Sequence, residues 1–176
     1  AIRSSHPNPT PEALISHIDP CVSLDWVALV LLLDQFPRNI YRGDRAAAAY
    51  TVFDPLAQGV VKLALEAGVF ERDDLRGRVA YRCWMMFPFM HSEDGGLHRR
   101  CAGMCEEMVR DAEGLEGQGD RDAARGFAET LLGFERRHRV IIERFGRYPH
   151  RNGVLGRVST GEEVEYLAGG GETFGG

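Results

Sequence analysis

The stretch LDWVALVLLLDQF, residues 24–36, decides the fold class of this chain of 176 residues. It is apolar almost all round, and a helix of that composition is stable only when other elements cover it on every side. We therefore expect it to form the central helix of a helical bundle. Pro37 follows directly, and because the residue before a proline avoids helical backbone angles, we expect the helix to stop there.

Helix starts and stops continue through the middle of the chain. Asp44 is a suitable N-cap for the alanine-rich segment RAAAAY that follows it. Asp54 and the proline after it predict a second helix start, and Gly68 predicts the end of that helix. The apolar segment at residues 78–87 predicts a buried helix that Pro88 breaks.

The second half of the chain carries three more helix patterns. One helix is expected from about residue 97 to residue 113, followed by a glycine-rich connector. Asp120 then predicts the N-cap of a long helix that Gly146 closes. Either of two overlapping capping boxes, at residues 159–162 or 160–163, predicts a last helix. Because no stretch alternates as a strand would, we predict an all-α, single-domain bundle of about six or seven helices.

Composition divides the chain into three regions. Residues 1–24 hold four of the eight prolines and are predicted to form an extended N-terminal arm, with a short helix near residues 11–17. Residues 25–168 are predicted to form the helical domain. Residues 169–176 are rich in glycine and are predicted to form a C-terminal tail.

Charge and hydropathy exclude several classes of protein. The net charge of −5 argues against a general nucleic-acid coat, which needs a basic face, so nucleic acid is disfavoured as a partner. The longest apolar run, residues 26–33, is too short to cross a bilayer, and we expect no membrane association. The four cysteines form no C-x-x-C pair and no signal peptide is visible, which favours a reducing compartment. We therefore expect a soluble, cytoplasmic protein, and no motif predicts a cofactor.

The end of the apolar helix carries the first candidate site residues. Asp34 lies in its last turn, where a carboxylate faces the negative end of the helix dipole and needs a cation. Arg38 and Arg42 both follow within reach. An ion pair of Asp34 with either arginine would fix the helix end, whereas the functional alternative makes these residues, together with Asn39, part of a ligand site.

The break at Pro88 delivers the second group, His91, Ser92 and Glu93. Ser92 is a candidate N-cap for the following helix, in which case free N–H groups would point toward a ligand. The three residues do not form a catalytic triad, because neighbours in sequence do not face each other. The structural alternative is a cap followed by an exposed acid.

The third group surrounds the end of the long helix, in the stretch RFGRYPHRNGVLGR at residues 144–157. His138 shares an apolar helix face with Ile141 and Ile142, so it is predicted to point toward the core, as a hydrogen-bonded residue or as a base. Beyond it lie the polar residues Arg144, Arg147, His150, Arg151 and Asn152. They either satisfy the free carbonyls of helix ends or recognise a carboxylate or phosphate in bidentate fashion.

A metal site has little support in the sequence. His98, Cys101 and Cys105 lie at positions i, i+3 and i+7, so they fall on one helix face. No fourth ligand is evident, and the spacing is common by chance. We therefore predict no metal.

Taken in order, these motifs resemble those of the domain-of-unknown-function family numbered 924. The resemblance rests on LLLDQFPRNIYRG, a DPLA helix, PFMHSED and RFGRYPHRN, and it covers roughly residues 24–174. It implies an all-α fold of the tetratricopeptide-like helical superfamily, and it implies no established reaction. The residues that match the family motifs include Asp34, Arg38, Asn39, Arg42, His91, Ser92, Glu93, His138, Arg144, Arg147, His150, Arg151 and Asn152.

The chain also departs from the family. Members usually open with a tryptophan-rich helical segment, whereas this chain has only its proline-rich arm. The difference predicts that one face is left uncovered or is filled by another subunit. We therefore expect a protein partner or a homo-oligomer that forms through the N-terminal arm. His98 stands where the family usually has a glutamine.

Three functions follow as hypotheses, and whether the protein is an enzyme stays open. The first is a site for a small anionic metabolite, in which Arg38, Arg42, Arg147 and Arg151 hold the anion. His91, Glu93 and His150 are its catalytic candidates, because an imidazole titrates near neutral pH and Glu93 or Asp34 could orient it. The alternatives are a tetratricopeptide-like protein-interaction module and a local RNA-binding site. The first hypothesis predicts that the three breaks meet in one cleft, within about one helix diameter of roughly 10 Å.

Overall fold

The computed structural model describes residues 9–174 and, within them, shows helices and turns but no strand, which confirms the all-α class. Nine α-helices lie in this range, three of them single turns of four residues, which is why whole-helix patterns predict only six or seven. They are α1 (Pro11–Ile18), α2 (Ser23–Ile40), α3 (Asp54–Glu66), α4 (Asp73–Arg76), α5 (Val79–Arg82), α6 (Phe87–Met90), α7 (Gly95–Ala112), α8 (Gln118–Phe145) and α9 (Gly161–Ala168). The first eight residues of the predicted arm and the last two of the predicted tail lie outside the described range.

Helix α2 occupies the position that its apolar sequence predicts. Trp26, Val27 and Val30 are buried in the main core, which α2 shares with α3 to α8. The helix does not stop at Pro37 as predicted but continues to Ile40. A proline removes only the hydrogen bond of its own nitrogen, and one turn later the Tyr41 N–H donates to the Pro37 carbonyl at 2.8 Å.

The predicted arm contains the short helix expected near residues 11–17, which is α1. Thr10 caps it by accepting a hydrogen bond from the Ala13 N–H at 3.2 Å. Pro11 then packs against Gly59 in α3, where a Cβ atom would lie 2.2 Å from the proline Cγ. A glycine at position 59 therefore permits α1 to dock on α3.

Two predicted caps have other roles. Asp44 lies in a short 3₁₀ turn, Gly43–Arg45, and caps no helix. A π-helical turn, Ala49–Phe53, runs into α3 without a break, so Asp54 does not cap α3 and its side chain instead faces Arg38. The prediction of a stop at Gly68 is confirmed by its φ of +65°, directly after the end of α3.

The region around Pro88 is a chain of single turns rather than one helix with a break. Pro88 lies in the first turn of α6, where its missing N–H costs no hydrogen bond. The N-cap of α7 is Asp94, which accepts from the Gly96 N–H at 2.6 Å, and not Ser92. Ser92 accepts from the Asp94 N–H instead, at 3.0 Å.

Helices α7 and α8 pack as a pair joined by a short loop, and α8 carries the chain to the site. Its first residue is Gln118, so the predicted cap Asp120 falls inside its first turn. Gly146, with φ +67°, ends it as predicted. The capping box at residues 160–163 opens α9. Among residues 9–174 no helix is both long enough and apolar enough to cross a membrane.

Candidate functional site

The three segments that the sequence singled out contact one another. The His91 ring lies 2.8 Å, through Nδ1, from Oδ1 of Asp34 at the end of α2. The Tyr148 hydroxyl, from the turn after α8, donates to the Met90 carbonyl at 2.7 Å, and the Tyr148 N–H donates to Glu93 at 2.9 Å. The three breaks therefore lie in contact as a packed cluster of side chains, while the cleft that the metabolite hypothesis also predicts stays a prediction.

Asp34 and His91 form the centre of this cluster. Asp34 is 1% exposed and also accepts hydrogen bonds from Gln35, at 2.6 Å, and from Arg38, at 3.2 Å. Burial by itself would raise the pKa of Asp34, but the contacts with His91, Arg38 and Gln35 outweigh it and hold that pKa well below its ordinary value. Asp34 is therefore a carboxylate that can only accept hydrogen bonds.

The carboxylate fixes the tautomer of His91. Since Asp34 can only accept, Nδ1 of His91 carries the proton, and Nε2 presents its lone pair. Burial lowers the pKa of His91, and the Asp34 charge only partly opposes that effect, so the ring is neutral near pH 7. Nε2 bonds to no residue between 9 and 174, and the His91 side chain keeps 16% of its surface exposed.

Arg38 is closed by two carboxylates. Besides Asp34 it contacts Asp54, whose Oδ1 accepts from it at 2.6 Å. The predicted pairing of Asp34 with Arg38 is thus the one that forms, and the alternative pairing with Arg42 does not. Arg42 is exposed and donates to Asn39 at 3.1 Å, while Asn39 donates to the Gln35 carbonyl at 2.9 Å, so both belong to the exposed end of α2.

Arg151 is a buried arginine that donates no hydrogen bond to a carboxylate of residues 9–174. It is 4% exposed, and its guanidinium carbon lies 4.4 Å from the ring centres of both Tyr50 and Tyr148. Its nearest carboxylate oxygen, on Asp54, is 3.7 Å away, beyond hydrogen-bond distance. Within the described residues, the Arg151 Nε and the Asp54 Oδ2 are both buried without a hydrogen-bond partner.

The other arginines of RFGRYPHRNGVLGR brace the turn that holds Arg151. Arg147 donates to both oxygens of Glu163, at 2.6 and 2.8 Å, and these bonds lower the pKa of Glu163 to about 2. Arg144 pairs with Glu162 at 2.8 Å on the surface. The predicted anion-holding roles of Arg144 and Arg147 are therefore taken by the protein's own acids.

Glu93 and Asn152 belong to the same bracing. Arg157 donates to both oxygens of Glu93, at 2.6 and 3.0 Å, so Glu93 fixes the turn and Asp34 is the residue that orients His91. Asn152 donates to Glu163 at 3.2 Å. Most of this stretch is therefore structural, but its donors bond to carboxylates of the protein rather than to the free carbonyls of helix ends that the structural alternative named.

Two further histidines lie beside the pair. His138 is buried as predicted, with Nδ1 donating to the Phe134 carbonyl at 2.8 Å and its ring centre 6.3 Å from that of His91. Burial lowers the pKa of His138 to about 3. For His150, burial and then the Arg151 charge lower the pKa to about 4. Both rings are therefore neutral near pH 7.

His98 takes a structural position rather than that of a metal ligand. Its Nδ1 lies 3.1 Å from Glu135 and its Nε2 lies 2.9 Å from the Ser92 carbonyl, all in the buried interior. In the part of the chain that the structure describes, no three side chains of metal-ligating type form a cluster.

Sequence reasoning missed four residues of the site. Tyr50 and Tyr148 enclose Arg151, Asp54 faces both arginines, and Phe174 stacks on His138 with ring centres 3.5 Å apart. Asp54 is a residue type that often caps helices, so the sequence suggests that role for it. Tyr50, Tyr148 and Phe174 join the site through contacts with residues that are distant in the sequence. The proline that fixes the turn directly after Tyr148 is the one local signal that could have drawn attention to it.

Residues 8–171 match the sequence profile of a family described as "Bacterial protein of unknown function (DUF924)". The chain belongs to this family. A similar solved structure is that of ATU0120, a protein of unknown function from Agrobacterium tumefaciens. It is 36% identical, the match covers 83% of this chain and 68% of that chain, and the TM-score is 0.59. A comparison with curated proteins finds no match.

Proposed function

We propose that this DUF924 protein binds a small anionic metabolite at the cluster of Asp34, His91 and Arg151, with His91 acting on the ligand as an acid–base group. The observation that carries the proposal is the orientation of His91. Asp34 holds its Nδ1, while its Nε2 has no hydrogen-bond partner among residues 9–174 and the His91 side chain keeps 16% of its surface exposed.

The environment of His91 suits proton transfer. A neutral imidazole with one nitrogen held by a buried carboxylate is the arrangement of an effective general base, because the carboxylate stabilises the imidazolium that forms. Asp34 remains ionised at any pH near neutrality since its pKa is lowered. Proton transfer to Nε2 would therefore occur without reorientation of the ring.

The environment of Arg151 suits an anion. A buried guanidinium without close acceptors is costly, and a carboxylate or phosphate would supply two of them in the geometry that arginine prefers. The nearby Asp54 Oδ2, also without a partner among residues 9–174, would accept from a hydroxyl group. The proposed ligand class is therefore a small hydroxy acid or a phosphate monoester that retains a hydroxyl.

The two alternatives fare differently. RNA binding needs exposed aromatic rings, and the ring of Tyr148 is fully buried. The interaction module keeps one supporting observation, a stripe of exposed apolar residues along α2 formed by Leu32, Phe36 and Ile40. Sedimentation of the wild-type protein and of Phe36→Ser would test it, since a functional interface would lose a self-association or a partner on that change.

A thermal-shift panel tests the anion proposal. It would contain glycolate, lactate, glycerol phosphate and inorganic phosphate, with wild type, Arg151→Gln and the matched control Arg147→Gln. A ligand at 100 times its dissociation constant adds about 2.7 kcal/mol to stability, which such a panel detects. We expect a hit in wild type and Arg147→Gln that Arg151→Gln loses. Hits that survive Arg151→Gln, or no hit in any protein, would contradict the proposal.

A further inference from the structure

The chain after α9 folds back over α8 in a defined path. Residues 169–174 form this segment, which we call the C-terminal strap. Gly170 turns the chain with φ +78°, and Gly171 lies flat against the Tyr166 ring, where a Cβ atom would come within 2.5 Å of ring carbons. The Tyr166 hydroxyl then donates to the Glu172 carbonyl at 3.1 Å. The glycines of the predicted tail therefore allow this segment to turn and to pack closely against Tyr166.

The strap presents one acid and one aromatic ring to α8. Glu172 accepts a hydrogen bond from Arg137 Nε at 2.7 Å. The Phe174 ring stacks on the His138 imidazole, with centres 3.5 Å apart and planes 19° from parallel. The Arg137 guanidinium carbon lies 5.9 Å from the centre of the Phe174 ring. Arg137 and the His138 imidazole thus form one surface on α8. The Glu172 carboxylate and the Phe174 ring of the strap occupy it together.

These contacts hold the strap weakly. The side chains of Arg137 and Glu172 are 51% and 43% exposed, and an ion pair in that position contributes little to stability. The Phe174 side chain is only partly buried. A ligand with the same two groups could therefore compete with the strap, although the strap has the advantage of a high effective concentration.

Space beside the strap fits a small ligand. A cavity of 210 Å³ lies next to Glu172, with walls that include Ile141, Phe145 and Tyr166. Its volume is below the range of sites for drug-sized molecules, about 300 to 1,000 Å³, so it suits a single-ring compound rather than a long peptide.

We propose that the C-terminal strap occupies a binding slot for a small aromatic carboxylate, which displaces the strap, stacks its ring on His138 and pairs its acid with Arg137. The slot uses a different cation from the Arg151 site, so it goes beyond the proposed function and can fail or stand by itself. It also adjoins that site, because the His138 ring lies 6.3 Å from the His91 ring.

Calorimetric titration of the full chain with 3-phenylpropionate tests the slot. The variants are Phe174→Ala, which empties the ring position, and Phe127→Ala, a matched control that removes a partly exposed phenylalanine elsewhere on α8. We expect 3-phenylpropionate to bind Phe174→Ala at least tenfold more tightly than wild type or Phe127→Ala, because the competing ring is gone. Arg137→Gln introduced into Phe174→Ala should abolish that gain.

Two control compounds and one spectroscopic signal complete the test. Propionate lacks the ring and 3-phenylpropanol lacks the charge, so neither should bind Phe174→Ala more tightly than wild type. Burial lowers the pKa of His138 to about 3 in the strapped protein, and NMR should show that pKa rising in Phe174→Ala and falling again with 3-phenylpropionate.

Three results would overturn the proposal. Equal affinity of wild type and Phe174→Ala for 3-phenylpropionate would show that the strap covers no slot, whatever the anion panel shows for Arg151. An equal gain with propionate would show that no ring is recognised. Binding of the peptide Gly-Gly-Glu-Thr-Phe to Phe174→Ala without binding of 3-phenylpropionate would replace the small acid by a peptide segment.

Discussion

Among residues 9–174, two arginines are buried against aromatic rings, and they differ in what their nitrogens contact. Arg82 is 0% exposed, with its guanidinium carbon 4.0 Å from the Phe70 ring centre. It donates to Asp111 at 2.7 Å and to Glu107 at 3.0 Å. Arg151 is equally enclosed, yet its nearest carboxylate oxygen is 3.7 Å away.

The difference separates a structural arginine from one with spare bonding capacity. Arg82 links α5 to α7, and its charge is balanced by two carboxylates at hydrogen-bond distance. A buried charge without such balance is costly, and folding alone supplies no reason to retain it. Arg82, Arg147 and Arg157 each donate to a carboxylate of the protein, although the Nε of Arg82 and of Arg157 is, like that of Arg151, buried without a partner among residues 9–174. What distinguishes Arg151 is that it has no carboxylate at hydrogen-bond distance, and the anion proposal rests on that difference.

The largest expected effect is the loss of stability when Arg82 is replaced, compared with the loss when Arg151 is replaced. Arg82→Gln leaves Asp111 without its buried partner, and we expect the free energy of unfolding to fall by about 3 to 5 kcal/mol. Arg151→Gln loses ring contacts but no short hydrogen bond, so we expect a fall below about 2 kcal/mol. Urea unfolding measures both. The exposed pair of Arg125 and Glu129 provides a control, since Arg125→Gln should cost less than about 1 kcal/mol.

The measured losses show whether Arg82 and Arg151 are both structural or differ in role. Losses of similar size for Arg82→Gln and Arg151→Gln would mean that Arg151 is as structural as Arg82. A loss below about 1 kcal/mol for Arg82→Gln would mean that burial and ion pairing do not identify structural arginines in this fold.

A second, smaller effect is the dependence of stability on pH. His150 directly precedes Arg151, and burial and then the Arg151 charge lower the pKa of His150 to about 4. Between that value and the pKa of about 6.5 of an unfolded histidine, the unfolded chain binds a proton that the folded chain does not. The stability contribution is therefore complete above about pH 6.5 and is lost as the pH falls toward 4.

Because of His150, the free energy of unfolding should fall by about 2 kcal/mol when the pH is lowered from 7 to 5, since a difference of one pKa unit corresponds to about 1.4 kcal/mol. Urea unfolding at both pH values should show His150→Gln losing less stability on acidification than wild type. His17→Gln, at an exposed position on α1, should behave as wild type does. An unchanged pH dependence in His150→Gln would show that His150 is not held neutral by burial.

The sequence predicts the parts of this site that depend on local spacing. The sequence predicts that Asp34 pairs with Arg38 or Arg42 just beyond it, without deciding between them, and the inward direction of His138 follows from helical periodicity. The stop at Gly146 follows from the backbone freedom of glycine. Each of these needs only neighbours along one element.

The rest of the site depends on which distant segments meet. Arg157 reaches Glu93 across 64 positions, and Tyr148 reaches Met90 across 58, so no local pattern reveals either contact. Asp54 has the residue type of a cap but lies within a continuous helical path, so its side chain is available to Arg38. Which buried arginine lacks a carboxylate at hydrogen-bond distance is known only after all such pairings are known.

The proposed action of His91 on an anion held by Arg151 is tested most directly by NMR of the His91 ring nitrogens at pH 7. The anion added is one that stabilises the wild-type protein in the thermal-shift panel. We expect a neutral ring, protonated on Nδ1 and not on Nε2, whose Nε2 signal shifts on anion addition in wild type and in Arg147→Gln but not in Arg151→Gln. A doubly protonated ring at pH 7, or a shift that persists in Arg151→Gln, would contradict it.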